Sequence, residues 1–114
     1  MRVISEDNIE KKIVMGERGT VEMMNFLESP KMIIGTRTVR PNSWVPRKPH
    51  SHKLRQINYV IDGEPILTSG KESVKLKKGD FVLLESFEEH YYSTTDRPAH
   101  VFEVQFELSG TCQE

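Results

Sequence analysis

The stretch PHSHKLRQ, residues 49 to 56, sets His50 and His52 two positions apart and Gln56 four further on. In an extended strand successive side chains alternate between faces, so if the segment runs as one regular strand these three project from one side, with Leu54, Asn58 and Val60 beside them. Imidazole suits Zn, Ni, Fe and Cu, and an amide oxygen can complete such a shell. His90 opens a later run, HYYST, and a barrel would carry it across to the same interior. Taken alone, a His-x-His pair carries little weight, because such pairs more often serve as surface or hydrogen-bonded residues.

The elements that must position these side chains are short. Breakers recur at Gly16, Gly19, Pro30, Pro41-Asn42, Pro46, Pro49, Asp62-Gly63, Ser69-Gly70, Lys78-Gly79-Asp80 and Asp96-Arg97-Pro98. Between them lie strand-length runs rich in Val, Ile, Thr, Tyr and Phe: 32–39, 57–61, 73–76, 80–84, 90–94 and 101–108. Many short strands separated by turn residues predict an all-β sandwich or barrel. Residues 66–74 read as a hairpin turning at Ser69-Gly70, and Asp62-Gly63 marks a second tight turn. The one plausible helix is a turn near SEDNIEKK, capped by Ser5, with a short strand equally open there.

The last run, VFEVQFEL, alternates cleanly. Phe102, Val104, Phe106 and Leu108 form one face, expected to be the core face, and Glu103, Gln105 and Glu107 form the other. Glu103 is therefore either an outward polar residue or a general acid/base beside the histidines. Arg37, mid-strand in GTRTV, is either salt-bridged or a clamp for a substrate carboxylate. Tyr92 shares parity with His90 and can line a cavity, with Tyr91 facing away. Trp44 precedes the histidines and is a candidate lid or interface residue. His100 and the glutamates Glu85, Glu88 and Glu89 read as exposed.

At 114 residues the chain fits one domain, spanning 1–114. A formal net charge of -1 with both signs interspersed gives no basic stripe, which argues against nucleic acid as a partner. The cluster Arg47, Lys48, Lys53 and Arg55 suits a small anion better. No apolar run approaches the roughly 18 residues of a membrane span, and no signal-peptide pattern opens the chain, so a cytoplasmic location is expected. Cys112 is the single cysteine, which excludes an internal disulfide.

Around the histidines the spacing is specific. Gln56 is followed after six residues by Gly63, and His90 lies eleven residues after Gly79 of GDFVLLESFEEH. The chain resembles the cupin superfamily in both signature motifs: Gly, His-x-His, Glu and Gly in the first, Gly-Asp, Pro-x-Gly and His in the second. The resemblance covers roughly residues 35–108, with 1–30 as an N-terminal extension. It implies a small antiparallel β-barrel or jelly roll of the RmlC-like kind, and a divalent metal held by His50, His52, Gln56 and His90. Asn42 stands in the usual Pro-Gly turn and tolerates the same left-handed backbone. Glu85 and Phe87 replace the Pro and Gly of the second motif, and Thr94 replaces its terminal Asn.

Gln56 replaces the glutamate ligand. Three imidazoles and an amide leave a divalent metal with a charge of roughly +2, where a carboxylate would leave roughly +1. Such a centre is the stronger Lewis acid and the better anion receptor. It favours Zn or Ni, accepts Fe and suits Mn less. The set is similar to that of the small cupins of uronate metabolism, which convert unsaturated or hemiketal sugar acids into open-chain keto acids. That similarity implies an acid on the last strand, matched by Glu103. Gln105 stands where those proteins carry an aromatic, and ELSGTCQE supplies no Arg.

The function expected is a metal-dependent enzyme that isomerises or tautomerises a small oxygenated anion, such as a sugar acid or keto acid. Glu103 would move the proton, and Arg37, Asn58, Tyr92 and Gln105 would contact substrate. The alternatives are a cupin dioxygenase or decarboxylase, a non-enzymatic binding or sensing module, and a metal-free structural cupin. The apolar N-terminal run GTVEMMNFLE is expected to supply an edge strand exchanged in a homodimer.

Overall fold

The computed structural model describes residues 1–107, with the side chains of residues 48–50 outside that description. Leu108 and Cys112 lie beyond the described residues. Ten strands follow one another: β1 (Lys11–Met15), β2 (Thr20–Ser29), β3 (Met32–Val39), β4 (Trp44–His50), β5 (Arg55–Asp62), β6 (Ile66–Ser69), β7 (Glu72–Lys75), β8 (Phe81–Leu84), β9 (His90–Ser93) and β10 (Ala99–Phe106). Ahead of them a single 3-10 turn, Glu6–Asn8, starts where Ser5 Oγ accepts from the Asp7 amide at 3.3 Å. Both readings of SEDNIEKK are thus realised in succession, a capped turn and then a strand. Among the described residues no helix is long and apolar enough to cross a membrane.

Every strand pairing is antiparallel. One sheet has the order β1-β2-β3-β10-β5-β8 and the other β4-β9-β6-β7. They face each other across a core of Val39, Val45, Val60, Leu67, Leu84, Tyr92, Ala99 and Val101, a two-sheet jelly roll. The hairpin expected over 66–74 is β6 and β7, turning at Gly70.

Turn chemistry fixes where strands enter. Gly63 has φ 89, and a Cβ there would meet the Pro98 carbonyl and lie 2.8 Å from Ala99 Cα, so only glycine lets β5 end against the start of β10. Asn42 takes the left-handed backbone expected of it, at φ 54, and Phe87 keeps φ 61 where the resemblance has glycine. The Phe87 amide donates to the His52 carbonyl at 2.7 Å, tying the loop before His90 to the segment carrying His52.

Three expectations need correction. The face of β10 turned inward is that of Val101 and Glu103, 0 % and 5 % exposed, while Phe102 is 38 % exposed. Parity is set by Ala99 packing beside Gly63 and by Val101, so the phenyl-bearing face turns away from the barrel. His100 is not a turn residue but lies in β10, half-buried, with Nδ1 2.8 Å from Thr38 Oγ1. The glutamates before His90 are not merely solvated: Glu88 accepts from the Glu85 amide at 3.0 Å and from Ser69 Oγ at 2.7 Å, and Glu85 pairs with Arg55 at 2.8 Å. Trp44 stacks on Tyr91 at 5.0 Å between ring centroids.

The N-terminal run is part of the large sheet. β2 pairs with β3 along its length and β1 pairs with β2 of the same chain.

Candidate functional site

β10 lies between β3 and β5, and register decides what Glu103 meets: Asn58 on one side and Gly35 on the other, with Gln105 opposite Gln56. Both carboxylate oxygens are engaged. Oε1 accepts from Gln56 Nε2 at 3.0 Å and Asn58 Nδ2 at 3.1 Å. Oε2 accepts from Arg37 Nε at 3.1 Å and Gln105 Nε2 at 2.8 Å, and Arg37 NH2 stands 3.0 Å away. Arg37 is buried too, at 6 % exposure. A buried pair of this kind holds because desolvation is offset by several good hydrogen bonds as well as by the opposite charge.

Arg37 has a second anchor. Its NH1 donates to Asn25 Oδ1 at 2.7 Å and to the Thr36 carbonyl at 2.9 Å. Asn25 reaches across from β2, next to a register shift between Asn25 and Leu27, over the backbone of Gly35. A Cβ on Gly35 would meet the Met24 carbonyl and come within 2.8 Å of Asn25 Oδ1. The bare backbone at Gly35 is the space through which β2 braces the guanidinium. Asn25 was not singled out from the sequence. The signal was a glycine inside a strand run, which marks a bulge or close approach.

The amide of Gln56 is fixed by the same network. Its Nε2 donates to Asn58 Oδ1 at 2.6 Å and to Glu103 Oε1, both acceptors there, so Oε1 must point the other way. It points at His52 Nε2, 3.0 Å away. His52 Nδ1 lies 2.6 Å from the Leu54 carbonyl, which only accepts, so Nδ1 carries a hydrogen and Nε2 is the nitrogen turned to Gln56 Oε1. The Gln56 oxygen and the second imidazole nitrogen thus converge on one point, where a shared cation, either a proton or a metal, satisfies both. His90 is oriented alike, with Nδ1 2.8 Å from the Glu88 carbonyl. Burial is the largest influence on His90 and lowers its pKa below the usual histidine value, against the pull of that carbonyl. A ligating histidine that gives its other N–H to a carbonyl is the usual arrangement at metal centres.

The His52 and His90 rings meet edge to face at 5.4 Å. The side chain of His50 is outside the described residues; its backbone is paired with that of His90 across β4 and β9. Among the described residues no group of three His, Cys, Asp or Glu gathers. The donor set in view is two imidazoles and one amide oxygen, chemistry that suits a borderline-soft divalent metal.

Beside this set opens a cavity of ≈ 290 Å³, reached by Gln56, His90, Tyr92, Glu103, Gln105 and Arg37. Tyr92 is 7 % exposed and its hydroxyl, buried, has no hydrogen-bond partner among the described residues. Burial first, and the Glu103 charge second, push the phenol far up, so it remains a donor. Asn58 is wholly buried behind Gln56 and does not line the cavity. The remaining wall is apolar, and sequence reasoning missed it. Those residues come from four strands that only tertiary structure brings together.

A two-sheet antiparallel roll with inward histidines and polar residues on its central strands defines a small-ligand barrel of the jelly-roll class. The family model described as "Cupin domain" matches residues 35–105, and the chain belongs to that family. No curated protein sequence matches it. Among solved structures, a predicted oxalate decarboxylase from Thermotoga maritima superposes with a TM-score of 0.82 at 23% identity, covering 94% of this chain and 100% of that one. The polyketide cyclase RemF from Streptomyces resistomycificus gives 0.80 at 16% identity, covering 93% and 79%. KdgF from Halomonas sp. gives 0.76 at 16% identity, covering 92% and 94%. At these identities the likeness is one of fold.

Proposed function

We propose that the protein is a metal-dependent cupin that acts on a small oxygenated anion, isomerising or tautomerising it. The observation that carries this reading is the convergence of His52 Nε2 and Gln56 Oε1, 3.0 Å apart, with the other end of each group tied to a fixed partner. His50, His52, Gln56 and His90 would hold one divalent metal, Zn or Ni before Fe, and Mn last. When bound, such a metal supplies Lewis acidity toward a carboxylate or enolate oxygen. Tyr92 offers its hydroxyl to the ligand, and Gln105 borders the same space.

Glu103, expected to move a proton, has its acceptor positions taken by Gln56, Asn58, Arg37 and Gln105. We assign it instead to holding the Gln56 amide so that Oε1 faces the metal position. Arg37 is likewise engaged, by Glu103 and Asn25, and we assign it to holding Glu103 and not to a substrate carboxylate. The metal is then the main source of positive charge for an anion.

Metal content of the purified protein tests this directly. Gln56→Ala should lower metal occupancy and abolish metal-dependent turnover, and chelation should lower the Tm, since a ligand of the native state stabilises it by mass action. Unchanged occupancy in Gln56→Ala would sink the ligand set. The engagement of Glu103 favours a second reading, a binding or sensing module with the same pocket. Exchange of a keto acid's α-proton with deuterated solvent, followed by NMR, separates the two: exchange supports the enzyme and its absence supports the module.

The partner class that fits β1 is a second copy. Its residues are all exposed, with Ile13 and Met15 at 61 %, and its outer edge has no neighbouring strand among the described residues. An uncovered edge invites pairing, and light scattering should return the mass of a homodimer.

A further inference from the structure

The cavity has two unlike ends. One end holds Arg37, Gln56, His90, Tyr92, Glu103 and Gln105; the rest of its wall is Val14, Val21, Met23, Val39, Val45 and Pro46, with no polar side chain among them. A polyhydroxylated sugar acid needs donors and acceptors around its whole perimeter, because each hydroxyl buried without a partner loses its hydrogen bonds to water. This wall offers none. The charged residues on the cavity do not serve that purpose, since Arg37 and Glu103 neutralise one another. Among the described residues, the buried polar groups there without a hydrogen-bond partner are the Tyr92 hydroxyl and Arg37 NH2, and the second already stands 3.0 Å from Glu103 Oε2, which leaves the Tyr92 hydroxyl as the donor for a ligand. At ≈ 290 Å³ the space lies near the lower end of ligand pockets, so the occupant is compact.

We propose that the ligand is a compact molecule with a branched or cyclic apolar body and one oxygen-bearing head group, such as a keto acid with a hydrocarbon side chain, and not a sugar acid. This rests on the reading of the polar end as a metal centre for the head group, and adds what the body must be. Apolar surface entering the Val and Met wall favours binding in proportion to its area, while the head is met by Tyr92 and the metal. Met23, Pro46 and Val14 keep partial exposure and mark the side from which the body enters.

The test is calorimetry on the purified, Zn-loaded protein with three anions: 4-methyl-2-oxopentanoate, pyruvate and D-galacturonate. The first two share a head and differ in their hydrocarbon body. The expected result is that 4-methyl-2-oxopentanoate binds at least tenfold tighter than pyruvate, with galacturonate the weakest. Met23→Gln should shrink that preference with metal content unchanged, and Tyr92→Phe should weaken both keto acids by a similar factor. With metal bound, equal affinity for the two keto acids, tighter galacturonate, or no binding by any of the three overturns the proposal alone. A tenfold preference in protein that takes up no metal keeps it and overturns the metal reading. Absence of both overturns both.

Discussion

Val101, Glu103 and Gln105 of β10 face into the barrel, and Phe102, Val104 and Phe106, one step out of phase, face away from it. The inner row contains the most polar residues of the strand, yet Glu103 is the better buried: 5 % exposed against 38 % for Phe102. The inner row is held by partners across both neighbouring strands, Asn58 and Gln56 on β5 and Arg37 on β3. Phe102 of the outer row borders a second cavity with Ile9, Met24, Phe26 and Ile34. The difference shows that burial here follows satisfaction of polar groups and not hydrophobicity residue by residue. A saturated carboxylate can occupy an interior that a phenyl ring is kept out of.

Substitutions on the two faces should therefore differ in scale. Glu103→Ala leaves the Arg37 guanidinium buried without its counter-charge, and a loss of about 3–5 kcal/mol is expected in urea unfolding. The paired change Glu103→Leu with Arg37→Met should recover much of it, and no recovery would mean that the network's worth lies elsewhere. Gly35→Ala pushes a methyl group against Met24 and Asn25 and should cost about 1–3 kcal/mol, with β2 displaced from β3. Hydrogen exchange at the β2 amides reports that displacement. Phe102→Ala, on the outer row, should cost only about 1 kcal/mol, since the ring is already partly in water. A loss as large as that of Glu103→Ala would erase the contrast between the faces.

Much of the architecture is legible in the sequence, because strands, hairpins and left-handed turns are local. The breakers at Asp62-Gly63 and Ser69-Gly70, and Asn42 at φ 54, fall where turn chemistry requires them. The spacing of His52, Gln56, Gly63, Gly79 and His90 is legible for the same reason. The orientation of β10 is not. Alternation in VFEVQFEL reveals two unlike faces, but which of them turns inward is decided by contacts from far along the chain: Ala99 against Gly63, Arg37 against Glu103. The pairing of Glu103 with Arg37 is hidden for a related reason. Each is a lone charge in its own strand, with its partner 66 positions away.

Three of the cavity's apolar wall residues, Val14, Val21 and Met23, precede residue 35, where the family match begins. The polar end, by contrast, is drawn from within the matched stretch. The other three, Val39, Val45 and Pro46, lie within it beside the polar end. Exchange of the β1–β2 hairpin would therefore recut half of the apolar wall without replacing a single polar group of the cavity.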